Sequence, residues 1–164
     1  MIKLIVLDVD GCLTNGSIHY TVNGDEIKSF NVKDGLAIAS WIRMGKKAAI
    51  ITGRVSSIVT RRAKELNITH LYQNVKNKKE KLLEIAKIEN ISLDEIAVIG
   101  DDLNDYGMLK EAGLSFTPSD GSNYIKNIVN VVLNKKGGEG AVREMIEYIL
   151  KKENLEEEFL KLWV

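Results

Sequence analysis

Apolar residues gather into short runs of strand length at Leu4 to Leu7, Ala48 to Ile51, Ile96 to Ile99 and Val129 to Leu133. Between these runs the apolar positions recur at helical spacing, over Gly35 to Met44, Ser56 to Leu66, Lys78 to Glu89, Asp105 to Ala112 and Ala141 to Leu150. Strands alternating with amphipathic helices predict an α/β fold, a doubly wound parallel sheet of Rossmann-like type. Two shorter runs, His70 to Tyr72 and Leu114 to Thr117, bring the expected sheet to about six strands.

One stretch breaks the alternation. In SIHYTVNGDEIKSFNV, two segments of period two flank Asn23-Gly24, a pair suited to a two-residue turn with positive φ. The pattern predicts a projecting β-hairpin over residues 17–32, set over the carboxyl edge of the sheet, where open α/β folds bind ligands. Such a hairpin can cap a pocket or pair with another subunit. The last stretch, ENLEEEFLKLWV, starts charged and ends apolar, so residues 1–152 read as one domain and 153–164 as a C-terminal tail. Trp163 in that tail is expected to pack against something, because large exposed aromatics usually mark contacts.

Composition narrows the setting. A chain of 164 residues can bury one core without disulfides or structural metals. Its 23 basic and 23 acidic residues balance, which argues against the broad positive field of nonspecific nucleic-acid binding. The single cysteine, Cys12, has no internal partner, and the start MIKLIVL runs straight into acidic residues, unlike a secretory signal. No apolar stretch approaches the roughly 20 residues that a membrane crossing needs. The expectation is a cytoplasmic protein with neither nucleic acid nor membrane as partner.

The strand ends carry the candidate chemistry. The first ends in LDVDGCLT, and the carboxylates of Asp8 and Asp10 are close enough to repel unless a cation or a proton sits between them. The second ends in IITGR, with Thr52 and Arg54, and the Ile96 to Ile99 strand ends in VIGDDLND, with Asp101, Asp102, Asn104 and Asp105. Parallel strands bring these loops to one edge and one crevice. NVKNKKEK adds a lysine at the start of a helix, with Lys78 preferred over Lys76 and Lys79.

These residue types fit phosphoryl transfer. A carboxylate at Asp8 can attack phosphorus and form an aspartyl-phosphate that water later removes. Two anions that approach each other need a divalent cation, and hard oxygen donors from Asp8, Asp101 and the Asp10 carbonyl suit Mg2+. The Asp10 side chain lies on the same side of an extended chain as Asp8, free to protonate the leaving oxygen and then to activate water. The Thr52 hydroxyl can donate to phosphoryl oxygens, and the Lys78 ammonium can neutralise the charge that remains.

In that order, DVDGCLT, ITGR, the lysine and GDDLND resemble the four signature motifs of the haloacid dehalogenase-like phosphohydrolases, spanning Asp8 to Asp105. The resemblance implies that Asp8 is the nucleophile, Asp10 the acid and base, Thr52 and Lys78 phosphate binders and Asp101 a metal ligand. Asp105 matches a second acidic position that holds the lysine or a metal-bound water, and Asp102 has no assigned role. Within the superfamily, FNVKDGLAI, ITHLYQ and GGEGAVRE resemble the 3-deoxy-D-manno-octulosonate 8-phosphate phosphatases, over nearly the whole chain. That likeness implies hydrolysis of a C8 sugar acid phosphate in lipopolysaccharide synthesis, no large cap domain, a homotetramer assembled by the hairpins, and a C-terminal segment reaching a neighbouring active site. It also makes Lys33, Gly35, Arg54 and Arg143 neighbours of the substrate. The chain departs from the pattern before the paired glycines, where NKKGGEG offers Lys135 and Lys136 rather than arginine.

Plainer readings compete. Asp-x-Asp after a strand and Thr52-Gly53 both suit turn or helix-cap chemistry. Arg54 can pair with a surface acid, and Arg143 with Glu147 one helical turn on. His19 and His70 lack paired ligand spacing, and Cys12 lacks a base partner. Two functional alternatives also stand. One is a phosphatase for a related nine-carbon sugar acid phosphate, or one of broad specificity. The other is a phospho-acceptor signalling domain, which has no need of a general base such as Asp10 beside the acceptor.

Overall fold

Successive side chains of a strand point to opposite faces, so a strand that is apolar at every position must be covered on both. In the computed structural model, which describes residues Met1–Val164, that strand is β1 (Leu4–Leu7), and all of it is buried. The hairpin strands β2 (His19–Tyr20) and β3 (Glu26–Ile27) follow, then α1 (Val32–Arg43), β4 (Lys47–Ile51), α2 (Ser57–Glu65), β5 (His70–Tyr72) and α3 (Lys78–Glu89). The second half runs β6 (Ile96–Ile99), α4 (Tyr106–Glu111), β7 (Leu114–Thr117), α5 (Asn123–Lys126), β8 (Val131–Val132), α6 (Ala141–Lys152) and α7 (Glu156–Lys161). Six strands form one parallel sheet in the order β5-β4-β1-β6-β7-β8. The chain winds from β1 to one side and later returns to fill the other, which puts the topological switch point beside β1.

Each face of β1 anchors its own core. Ile5 and Leu7 join Ile38, Trp41, Val59 and Met145 from α1, α2 and α6, whereas Leu4 and Val6 join Leu82, Ile85 and Met108 from α3 and α4. Trp41 also donates its indole N–H to the Lys47 carbonyl at 2.8 Å, tying α1 to the start of β4. No helix is long and apolar enough to cross a membrane.

Two details differ from the sequence reading. The hairpin turns through three residues, Val22 to Gly24, rather than two: Gly24 N–H bonds to the Thr21 carbonyl and Thr21 N–H to the Asp25 carbonyl. Only Gly24 takes a positive φ, at +84°, as expected for a tight turn closed by a glycine bulge. The last strand is Val131–Val132 rather than Val129 to Leu133, because the Asn130 side chain accepts the Ser115 N–H at 2.7 Å where a longer strand would have supplied a carbonyl. The tail forms α7, whose Phe159 returns to the core, and Trp163 lies under the Arg43 guanidinium at 5.1 Å, packed as expected.

Two contacts fasten the C-terminal third to the sheet edge. Gly138 N–H bonds to the Cys12 carbonyl at 3.0 Å, and a Cβ on Gly137 would lie 1.8 Å from the Gly11 carbonyl oxygen. The paired glycines therefore let this loop lie directly on the loop after β1. Gly140, with φ +99°, starts α6 without a capping side chain. Asp34 of α1 supplies the missing acceptor, taking the Arg143 N–H at 2.8 Å.

Burial pushes the Asp34 carboxyl up to about 6, against the pull of backbone N–H groups and of Arg62. The folded chain thus holds this proton longer than the unfolded one, whose value lies near 3.8, and the group's contribution to stability falls as pH rises through that window. Asp34→Asn keeps an acceptor for the Arg143 N–H without the charge. It is expected to gain on the unaltered chain by on the order of 2 kcal/mol between about pH 4 and about pH 7, measured by urea unfolding.

Candidate active site

Asp8 follows the last residue of β1, at the switch point, with its backbone N–H on the Ile99 carbonyl of β6 at 3.2 Å. The chain then turns sharply through Gly11, whose φ is +97°. A Cβ there would stand 2.1 Å from a carboxylate oxygen of Asp101, so only glycine lets the loop after β6 come so near. From the first turn of α3, Lys78 reaches in with its side chain 1% exposed. Its ammonium lies 2.6 Å from Asp8 and 2.5 Å from Asp105. The other Asp105 oxygen accepts the N–H groups of Asp101 at 2.9 Å and Asp102 at 3.3 Å, which fixes the loop after β6.

The cluster is short of positive charge. Burial, then the nearby Asp105, pushes the Asp8 carboxyl well above its ordinary value, against the pull of Lys78. The same two causes raise Asp101 to about 6. Burial works to lower the Lys78 ammonium, but the Asp8 and Asp105 carboxylates outweigh it and hold its pKa well above the ordinary lysine value. Ligand atoms of Asp8, Asp101 and Cys12 lie within 4.8 Å of one another. Burial and three neighbouring carboxylates keep the Cys12 thiol protonated, so it is a poor ligand, and the two carboxylates form the hard-oxygen pair that suits a small divalent cation.

Asp10 is held differently. Its carboxylate pairs with the ammonium of Lys28, which follows β3 in the hairpin, and Lys28 also reaches Glu26 at 2.9 Å. Burial works to lower the Lys28 pKa, but the two carboxylates outweigh it and the net shift is upward. The hollow above these groups has a volume of ≈ 260 Å³ and is lined by no hydrophobic residue: Asp8, Asp10, Thr52, Arg54, Asp101 and Asn104 surround it, with Gly16, Gly53 and Asp102. Thr52 is not a helix cap, since α2 starts after Ser56, and its hydroxyl accepts only the nearby Arg54 N–H at 3.3 Å. Asp102 instead caps the short 3-10 turn Leu103–Asp105 ahead of α4, accepting the Leu103 N–H at 2.8 Å. Arg54 stands at the rim and donates to the Tyr20 hydroxyl at 3.2 Å and to Glu26 at 3.4 Å.

Comparison with known proteins agrees with this geometry. A family model described as haloacid dehalogenase-like hydrolase matches residues 67–146. The 3-deoxy-D-manno-octulosonate 8-phosphate phosphatase KdsC of Haemophilus influenzae is 39% identical over 92% of this chain and 83% of its own. The Escherichia coli K12 protein of the same name is 38% identical, over 91% of this chain and 79% of its own. The chain belongs to the 3-deoxy-D-manno-octulosonate 8-phosphate phosphatase family. A crystal structure of the Moraxella catarrhalis phosphatase, in complex with a magnesium ion, a phosphate ion and KDO, superposes with a TM-score of 0.93. It is 41% identical, covering 98% of this chain and 93% of that one. The cobalt-bound Haemophilus influenzae phosphatase superposes with a TM-score of 0.88 at 39% identity, covering 92% and 88%.

In this phosphatase-family chain the structure brings Asp8, Asp10, Thr52, Lys78, Asp101 and Arg54 to one place and leaves three of the sequence candidates outside it. Lys33 is exposed in the first turn of α1. Gly35 is buried against Arg62, where a Cβ would meet the guanidinium at 2.3 Å. Arg143 turns to Glu147 at 2.6 Å and lies over Phe159 at 5.8 Å, in a separate hollow of ≈ 400 Å³ between α6 and α7. Lys28 was not singled out in the sequence, although Glu26 and Lys28 sit two apart on one side of a short strand while Ile27 faces solvent.

A cation bound at Asp8 and Asp101 stabilises the folded chain by mass action. Millimolar Mg2+ is expected to raise the thermal midpoint by on the order of 5 °C. Asp101→Asn should abolish the rise; a rise that survives the substitution places the ion elsewhere.

Proposed function

We propose that this chain is a Mg2+-dependent phosphatase that hydrolyses 3-deoxy-D-manno-octulosonate 8-phosphate to the free sugar acid and phosphate, in lipopolysaccharide synthesis. One observation carries the reading: Asp8 stands at the switch point with Lys78 at 2.6 Å and Asp101 close by, and Asp10 lines the same hollow. The substrate is argued from the activity named for relatives that match nearly the whole chain.

The steps follow from the side chains. An Asp8 carboxylate oxygen forms a bond to phosphorus as the bond to the sugar oxygen breaks, and the Asp10 carboxyl gives its proton to that departing oxygen. Water then attacks the aspartyl-phosphate, its proton passes to the Asp10 carboxylate, and the Asp8 oxygen is released with its electron pair. Lys78 and the Thr52 hydroxyl offset the charge on the phosphoryl oxygens. When bound by Asp8, Asp101 and the Asp10 carbonyl, Mg2+ supplies the positive charge that lets two anions meet. Arg54, at the rim, is suited to the carboxylate of the sugar acid. Lys33, Gly35 and Arg143 are assigned to the substrate only through the family resemblance.

The assembly belongs to the same reading. Tyr20, Val22 and Ile27 leave the hairpin apolar and exposed, which favours a homotetramer built through it. A catalytic domain of residues 1–152 with an appended tail of residues 153–164 fits the chain, and the unpaired Cys12 suits the reducing cytoplasm. Light scattering that reports a monomer would remove the hairpin assembly, and kinetics unchanged by truncation after Lys152 would remove a lid role for the tail.

Asp8→Asn is expected to abolish turnover of any phosphate ester, with a loss of at least about 10^4-fold in kcat, and chelation of the metal to do the same. Metal-dependent hydrolysis that persists in Asp8→Asn would sink the mechanism. The nine-carbon alternative is tested by kcat/KM across eight- and nine-carbon sugar acid phosphates. An octulosonate phosphate no better than small phosphate esters defeats the narrow assignment.

A further inference from the structure

The two aspartates of the first loop are neutralised by different parts of the molecule. Lys78, which serves Asp8, comes from a helix packed in the core. The cation that serves Asp10 comes from the hairpin, and no other lysine or arginine lies within ion-pair distance of that carboxylate. Lys28 is an unusual residue for such a hairpin: β2 and β3 are only two residues long and mostly exposed, yet the Lys28 side chain is 1% exposed. A two-stranded hairpin has little stability of its own. What attaches this one is a row of alternating charges, Asp10 to Lys28 to Glu26 to Arg54, with the Tyr20 hydroxyl at its end.

We propose that Lys28 is a positioning residue that aims the Asp10 carboxyl group at the leaving oxygen, so that the hairpin controls proton transfer while the core controls phosphoryl capture. This rests on the phosphatase reading above. Proton transfer depends on orientation within about half an ångström, and an ammonium fixed between two carboxylates restricts the Asp10 rotamer as no solvent molecule can. Lys28 does not line the hollow, whereas Thr52 does and Lys78 reaches Asp8 from α3, so phosphate binding is left to groups on other elements.

The inference separates substrates by leaving group. A sugar alkoxide needs a proton as it departs, whereas p-nitrophenolate leaves without one. In single turnovers with enzyme in excess, Lys28→Met is expected to slow release of the sugar from octulosonate phosphate by about 30-fold and release of p-nitrophenolate from its phosphate by less than about 3-fold. Half-saturating concentrations should stay within about twofold, and Lys28→Arg, which restores a cation, should recover most of the rate. Glu26→Gln loosens the second anchor of the same ammonium at a half-buried position, and should show the same split at smaller size if Lys28→Met does not fold. Equal slowing of both substrates, or no slowing of either, overturns the proposal. The parent reading is judged separately by Asp10→Asn: sugar release that remains fast in that variant removes the acid role of Asp10 itself.

Discussion

Asp8 and Asp105 share the single Lys78 ammonium while Asp101 stands close to Asp8, and the loops at the sheet edge are shaped to hold that imbalance. Burying like charges costs several kcal/mol per ion unless they are paired and hydrogen-bonded. Asp105 meets this by binding Lys78 with one oxygen and two backbone N–H groups with the other. Asp8 and Asp101 are left partly uncompensated, both raised first by burial and then by the nearby Asp105, and a cation between them would offset that cost. The same shortage of positive charge favours the arrival of a metal and, with it, of a phosphate dianion.

Close approach of backbone makes the cluster possible. Gly11 admits the Asp101 side chain, and Gly137 lies against the Gly11 carbonyl, so two loops distant in sequence brace the turn after β1. Asp34 caps α6 from α1 and holds the far side of that brace. Thus the Asp8 carboxylate is positioned by the most deeply buried part of the chain, where β1 lies between two cores. Rigidity there fits the nucleophilic role proposed for Asp8, which would have to meet phosphorus in line.

The outer part of the site is built on weaker supports. Arg54 and Lys28 share Glu26, and both depend on a hairpin with only two residues in each strand. The hollow holds no hydrophobic residue and suits a phosphoryl group, which leaves discrimination of the proposed sugar to groups around its rim. Exposed Tyr20 and Val22 lie on the same hairpin, beside that rim.

Periodicity in the sequence was enough for the sheet and its main helices, because a strand buried on both faces leaves an unbroken apolar run and a surface helix leaves a stripe. The strand-end motifs were enough to gather Asp8, Asp10, Thr52, Lys78 and Asp101, since parallel strands deliver all their C-terminal loops to one edge. Lys78 could be preferred over its lysine neighbours only through that pattern, and its burial is what the folded chain adds. Other features arise from contacts between segments far apart in the chain: the Lys28 pairing with Asp10, the Asp34 cap on α6 and the burial of Gly35 against Arg62. A local pattern records what a residue prefers to cover or cap. Which partner a charge meets across the fold is decided by the packing of whole elements, and no short stretch of sequence encodes that distance.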